Sequence, residues 1–364
     1  MSSNFSTLSS GRLLITGGAG FVGSNLAVSF KRKYPKLEVV ALDNLKRRGS
    51  ELNINRLKNH GIEFIHGDIR NKEDLSFQNR NIGTIIECSA EPSVLAGYGG
   101  SPEYLINSNL VGAINCLEAA RKHQAAFIFL STSRVYPMAK INQLHYQEEE
   151  TRFSLLADQP FPGASENGIS ENFPLEGSRS LYGATKLSAE LLAAEYAEMY
   201  DIKSVINRCG VIAGPWQMGK VDQGVFTLWM AAHYFKKDLR YIGFGGSGKQ
   251  VRDLLHIDDL FDLLDYQIQH PNQFHQQIYN IGGGLETSLS LVETTGLCEE
   301  ITGNKISIRS EKANRPADIR SYISDCAKIK AEANWRPERS ARQILIDIHN
   351  WIHENETALK NILR

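Results

Sequence analysis

A short apolar run that breaks off into glycines constrains this chain more than any other feature. Leu13-Leu14-Ile15-Thr16 leads into Gly17-Gly18-Ala19-Gly20-Phe21-Val22-Gly23. Glycine at these intervals lets a strand turn tightly into a helix, lets backbone amides approach a pyrophosphate, and sets the helix N-terminus against its charge. A second β-branched run, Val39–Leu42, ends in Asp43, at the spacing expected of a carboxylate that accepts hydrogen bonds from a ribose. Such an acid repels a 2′-phosphate and so favours NAD over NADP. Lys46, Arg47 and Arg48 weigh against that preference, unless they form only a solvated loop. Asp68, in His66-Gly67-Asp68-Ile69, closes a third run and either takes an adenine amine or sits in an exposed turn.

Around this unit the chain alternates. Further runs at Ile62–Ile65, Thr84–Ile86 and Phe127–Leu130 are separated by stretches of helical spacing, clearest at Leu110–Lys122. The Ala/Leu/Glu-rich segment Tyr182–Tyr200 leads straight into another run, Lys203–Asn207. Strands alternating with helices predict an α/β fold of Rossmann type, a doubly wound parallel sheet covered on both faces. After Gly214 the texture shifts to glycine and aromatic residues, and Ala341–Leu363 returns to helical spacing; a smaller C-terminal α/β part is expected there. Met138–Ser180 is long for a connection, and loops of that length are usually functional or partly disordered.

With 40 basic against 41 acidic residues in 364, the chain lacks the basic excess of a nucleic-acid binder. Its five scattered cysteines form no CxxC or Cys/His cluster, so neither a disulfide framework nor a metal site is expected. No run reaches the roughly 18 apolar residues of a membrane span. The Ser-rich stretch 1–10 reads as a loose tail rather than a secretion signal. A cytoplasmic protein without a membrane partner is the expectation.

Tyr182-Gly183-Ala184-Thr185-Lys186 is a YxxxK at the start of the strongest helix. Residues four apart share a helix face, so the ammonium should lie near the phenol and lower its pKa from about 10 toward the working range. Tyr182 would then serve as acid and base for a sugar hydroxyl while hydride moves to or from a nicotinamide. Alone, the pattern is equally a surface helix pair. Ser131-Thr132-Ser133 follows the Phe127–Leu130 run, at the strand end where open α/β sheets bind ligands. These hydroxyls either hold the reacting oxygen or cap their own backbone.

The glycine turn, Asp43-Asn44-Leu45, Ser131-Thr132-Ser133-Arg134-Val135-Tyr136 and the Tyr182/Lys186 pair together resemble the extended short-chain dehydrogenase/reductases, and among them the nucleotide-sugar epimerases and dehydratases. The likeness runs on through Leu110-Val111-Gly112, Gly248-Lys249-Gln250-Val251-Arg252-Asp253, Tyr279-Asn280-Ile281-Gly282-Gly283 and Arg315-Pro316-Ala317-Asp318. It implies Thr132, Tyr182 and Lys186 as the catalytic set. It implies NAD held by Gly17, Gly20, Phe21, Val22, Gly23, Asp43, Asn44, Asp68 and Ile69, with Tyr182 and Lys186 beside them. A nucleotide-diphosphate sugar would be gripped by Arg252 and Arg315, unless these only pair with Asp253 or Asp318. Ser133, Arg134, Gln223, Gly224, Gln250 and Asp318 complete the implied substrate site.

The family's 4,6-dehydratases carry an Asp-Glu pair directly after the threonine. Here Ser133 and Arg134 stand there, so elimination lacks its acid and base, and epimerisation through a transient ketone is the chemistry implied. Asp222-Gln223-Gly224, Trp229 and the stretch from Gly248 to His256 are most similar to the branch acting at C2 of CDP-linked sugars. A UDP-hexose 4-epimerase, a one-way reductase and a non-catalytic dinucleotide sensor are the alternatives. The resemblance further implies a homodimer. It also implies a division into an NAD-binding part, 11–214 with 251–284, and a sugar-nucleotide part, 215–250 with 285–364. Three positions depart from the family pattern: Glu87 where many relatives have histidine, Val211 where asparagine is common, and the long 138–180 insertion.

Overall fold

The computed structural model describes residues 11–78, 80–219 and 223–363, so the tail expected at 1–10 and Asp222 lie outside the described residues. Seven parallel strands form the main sheet: β1 (Arg12–Thr16), β2 (Val39–Asp43), β3 (Glu63–His66), β4 (Ile82–Glu87), β5 (Ala126–Thr132), β6 (Ser204–Cys209) and β7 (Gln277–Ile281). Their spatial order is 3-2-1-4-5-6-7. Helices α1 (Phe21–Lys33) and α4 (Ile257–Gln269) cover one face; α2 (Gly112–His123) and α3 (Leu181–Tyr200) cover the other.

Period-two alternation explains why the strands are apolar throughout. Leu13 and Ile15 pack with Leu26, Phe30, Leu260 and Leu264 on the first face, while Leu14 packs with Phe127, Leu117 and Ala189 on the second. Each such side chain contributes about 1.5–3 kcal/mol by leaving water. The strand order reverses between β1 and β4, which opens a crevice at the carboxyl ends where ligands of such sheets bind.

Several strands run past their apolar residues. β4 continues to Glu87, paired across from Thr16, and β5 continues to Thr132, paired across from Cys209. Backbone pairing in the ladder, blind to side-chain polarity, carries these polar ends into the crevice. β7, with the sequence Gln-Ile-Tyr-Asn-Ile, lacks a long apolar run and joins as the edge strand. The expected helix at Leu110–Lys122 is the end of a longer helical run from Glu103, with one widened turn at Asn107–Val111. The helical stretch expected at Ala341–Leu363 is broken at Asn355, whose amide side chain and backbone both bond the Trp351 carbonyl.

A smaller sheet of Val211–Ala213, Val251–His256, Ser288–Ser290 and Ser321–Tyr322 lies beyond β6. Phe226, Trp229, Met230, Leu254, Ile344 and Trp351 form its core. The 138–180 insertion is built rather than loose. It holds a short helix, Met138–Asn142, and two hairpins, and it shares a core of Tyr136, Ile141, Ile169 and Phe173 with Ile319 and Tyr322. Arg152 of the insertion clasps Glu293 at 2.8–2.9 Å. Among the described residues no helix is long and apolar enough to cross a membrane.

Candidate active site

The glycine turn is formed by close approach. Gly17 has φ +63°, and a Cβ on Gly23 would overlap the Gly17 carbonyl oxygen. Gly20 precedes α1, and among the described residues no side chain caps that helix end or places an acid in its first turn. The amides of Phe21, Val22 and Gly23 thus open an anion-binding N-terminus. Asp43, at the end of β2, accepts from Ala19 N at 3.1 Å and Leu45 N at 2.7 Å, which ties the turn to β2. Burial pushes its carboxyl up, against the pull of those amides.

Asp68 lies on the same rim. Arg70 grips it at 2.6–3.0 Å and Asn44 donates to it at 2.9 Å. Burial works to raise its carboxyl, but Arg70 and Asn44 outweigh it and hold the group at about 2. Ile69 is buried, and its carbonyl accepts from Asn115 at 2.8 Å. Lys46 and Arg70 both lie against the Tyr104 ring, 4.7 and 4.8 Å from its centroid. Arg47 and Arg48 turn toward the C-terminal part, the first to Gln223 and the Met218 carbonyl, the second to the Asn361 carbonyl at 2.6 Å.

Ser180 caps α3 by accepting from Gly183 N at 3.2 Å. Gly183 lets the helix start sit on the turn after β5, since a Cβ there would collide with the Arg134 carbonyl. That contact sets Tyr182 beside Thr132, close enough for the threonine to pull the phenol toward phenolate. Lys186, one turn along, is buried; its Nζ lies 3.3 Å from Glu87 Oε2 and 3.9 Å from the Phe129 ring centroid. Glu87-Cys88-Ser89 in turn borders the glycine turn, with Cys88 and Ser89 backbone about the Gly17 Cα. Tyr182, Lys186, Thr132 and the dinucleotide turn therefore meet in one crevice.

One expectation is corrected. The phenol of Tyr182 is raised above its ordinary value, because burial outweighs the pull of Lys186, Thr132 and Arg134 toward phenolate. The Lys186 charge is also shared with Glu87, a residue the sequence marked only as a departure. Of the three hydroxyls at the end of β5 and just beyond it, Ser131 points away and bonds Glu190 beneath the sheet. Thr132 faces the crevice and also accepts from Arg134 N at 3.2 Å, so it both caps its own turn and meets the phenol. Ser133 begins that turn. Asn109, in the widened helical turn, accepts from Glu91 N at 2.8 Å and reaches Thr185 Oγ1 at 3.4 Å. No sequence role had been given to it; a π-turn of this kind often marks a functional position.

The implied substrate residues divide. Arg134 donates to the Ala317 carbonyl at 3.2 Å; burial and the neighbouring Arg252 charge pull it down to about 10. Arg252 reaches Asp318 Oδ1 at 3.4 Å and the Ile319 carbonyl at 2.8 Å, and Arg315 lies within reach of its charge. The pairing is with Asp318; Asp253 is buried and accepts from Gly284 N and Ser324 N. Arg134 and Arg252 thus both feel the Asp318 carboxylate, and Arg315 lies near Arg252. Gln223 reaches Glu91 Oε1 at 3.4 Å on the crevice side, and Gly224 starts the helix Val225–Tyr234. Gln250 gives its amide to the Ile242 carbonyl at 2.7 Å, and its Oε1 has no partner among the described residues. Val211 is half-buried in the smaller sheet.

A glycine turn facing a half-buried tyrosine and a buried lysine, on a doubly wound sheet with arginines nearby, defines an NAD-dependent enzyme of the short-chain dehydrogenase type. The chain belongs to the NAD dependent epimerase/dehydratase family, which it matches over residues 13–282. It is 32% identical to CDP-paratose 2-epimerase of Salmonella typhi over 351 residues, 93% of this chain and 98% of that protein. It is 28% identical to UDP-glucuronate 4-epimerase of Thermodesulfobacterium geofontis, covering 97% and 99% of the two chains. Among solved structures, dTDP-glucose 4,6-dehydratase of Bacillus anthracis in complex with NAD superposes with a TM-score of 0.75 at 25% identity, over 97% of this chain and 99% of that one. NAD is the cofactor, and the uncapped α1 N-terminus and close-packed glycines fit it.

Proposed function

We propose that this chain is a nucleotide-sugar epimerase that oxidises a sugar hydroxyl to a ketone and restores it with the opposite configuration, with C2 of CDP-paratose as the favoured substrate position. One observation carries the reading. At the end of β5, Thr132 lies beside Tyr182, and the next two side chains are Ser133 and Arg134, the latter turned to Ala317. Elimination of water needs an acid for the departing hydroxyl and a base for the neighbouring carbon, and no carboxylate stands there. The nearby acids are engaged, Glu87 with Lys186 and Asp318 with Arg252. The 32% identity to CDP-paratose 2-epimerase supports the base and the carbon.

Gly17, Gly20, Phe21, Val22, Gly23, Asp43, Asn44, Asp68 and Ile69 would hold NAD, which would supply the hydride acceptor. Tyr182 takes the proton of the sugar hydroxyl and later returns it. Lys186 keeps positive charge beside the phenol and opposes the burial that raises it, and Thr132 fixes the oxygen. Arg134, Arg252 and Arg315 hold the diphosphate, with Asp318 aligning the Arg252 fork. Gln223, Gly224 and Gln250 border the sugar and nucleotide. The keto sugar turns between the two transfers, so no net oxidation remains.

Residues 11–214 with 251–284 form the NAD-binding part in this reading, and 215–250 with 285–364 the sugar-nucleotide part. Exposed Val111, Leu191, Met199 and Tyr200, on and beside α2 and α3, support a homodimer joined through those helices. The test is a panel of CDP-, UDP- and dTDP-sugars given to the purified protein, with products followed by NMR and retained dinucleotide by mass spectrometry. Conversion of CDP-paratose to its C2 epimer without added NAD is the expected result. Turnover that consumes added NAD stoichiometrically, or that yields a dehydrated keto sugar, overturns it. Conversion of a UDP-hexose alone moves the assignment to a 4-epimerase.

A further inference from the structure

Glu87 is the one acidic side chain that the main sheet carries to the end of β4, beside the glycine turn. It is 1% exposed, its Oε2 faces the Lys186 ammonium at 3.3 Å, and its Oε1 has no hydrogen-bond partner among the described residues. A buried carboxylate is stable only beside compensating charge. Lys186 is itself almost fully buried, between this carboxylate and the face of Phe129. The two groups fix one another from different elements, β4 and α3. A lysine four residues from the tyrosine has a long flexible stem, and without an anchor its ammonium has several reachable positions.

We propose that Glu87 is a positioning residue for the proton transfer: it pins the Lys186 ammonium one helical turn from Tyr182 and shares its charge, so that the phenol answers to a carboxylate–ammonium pair and not to a lone cation. The proposal deepens the reading of Tyr182 as acid and base, and rests on it. The groups facing the phenol are few. From its own helix comes Lys186; from β5 and the turn after it, Thr132 and Arg134; from β6, Cys209; and from β4, through Lys186, Glu87 with Cys88 beside it. Glu87→Gln keeps an amide oxygen that can accept from the Lys186 ammonium and removes only the charge, which leaves the cations of Lys186 and Arg134 uncompensated and favours phenolate. Tyr182 should therefore become more acidic when Glu87 is lost.

The experiment titrates Tyr182 directly in full-length protein, as purified, labelled at tyrosine 13Cζ, with its resonance assigned by disappearance in Tyr182→Phe. In Glu87→Gln the midpoint is expected to fall by about one unit or more, and the acid limb of the turnover profile should move the same way. Glu87→His, which places a residue common in relatives there, gives the same fall should the glutamine variant not fold. Glu87→Asp, which keeps the charge, should stay within about half a unit of the native chain. An unchanged or raised midpoint in a folded Glu87→Gln or Glu87→His protein overturns the proposal. Because the resonance is read without substrate, absence of turnover on every sugar nucleotide defeats the epimerase reading and leaves this test standing.

Discussion

Helix α3 carries two buried ion pairs one turn apart, and they are built differently. Glu190 receives both Nε and Nη2 of Arg208, at 2.7–3.2 Å, and the hydroxyl of Ser131; Arg208 reaches on to Tyr136, and Tyr136 to Asn280 at 2.8 Å. Burial opposes the Arg208 charge, but Glu190 outweighs it and raises the guanidinium further. Lys186 and Glu87 meet at a single longer contact of 3.3 Å, with one carboxylate oxygen unpartnered among the described residues. The saturated pair lies under the sheet and binds α3, β5, β6 and β7 together. The loose pair lies inside the crevice, beside the glycine turn. Full hydrogen bonding fixes a fold; a charge meant to act on a neighbour is left part of its field.

Substitutions should separate the two ends of this helix. Tyr182→Phe is expected to lower turnover roughly a thousand-fold, while the urea midpoint and the NAD retained on purification stay near native. Arg208→Ala should do the reverse. Stranding Glu190 costs about 3–5 kcal/mol of folding stability, read by urea denaturation, with whatever folds keeping its cofactor. If Arg208→Ala unfolded no more easily than the native chain, the saturated network would lose its structural role.

Lys186→Met sharpens the contrast through its pH dependence. Burial already raises the Glu87 carboxyl above its ordinary 4.5, and without the ammonium that opposes the rise it goes higher. The native state then holds a proton that the unfolded chain gives up. Its stability is fully present below the unfolded value and is lost as pH rises through the folded one. Urea curves for Lys186→Met should therefore weaken from acid to neutral pH more steeply than native curves. A loss independent of pH would mean that Glu87 is not the group left behind.

Much of this was legible in the chain, and the reasons differ by residue. The glycine turn, Asp43 and the YxxxK pair are local patterns, so spacing alone brought them together. Glu87 was visible only as an odd residue at the end of an apolar run, because its partner lies 99 positions away and only the sheet order joins them. The acidity of Tyr182 escapes the local pattern for a related reason. Helix spacing reports that Lys186 is near, but burial depends on the whole crevice. Arg47 and Arg48 read as charges near a ribose, yet they reach into the C-terminal part, a tertiary choice that no local rule encodes. The insertion looked like a loop because its apolar residues follow no single period, and its core closes only against Ile319 and Tyr322, far along the chain.

A third ion pair calibrates the comparison at the solvent edge. Asp68 and Arg70 make as many close contacts as Glu190 and Arg208, at 2.6–3.0 Å, but the arginine is 37% exposed. With the carboxyl held at about 2 against an ordinary 3.8, its contribution is present above 3.8 and lost as pH falls toward 2. Screening by water limits it, so Asp68→Asn should cost only about 0.5–1 kcal/mol at neutral pH. The difference from native should close in acid and shrink in high salt. Measured by urea denaturation at several pH values, a cost equal to that of Arg208→Ala would show that contact number, and not depth, separates the pairs on α3.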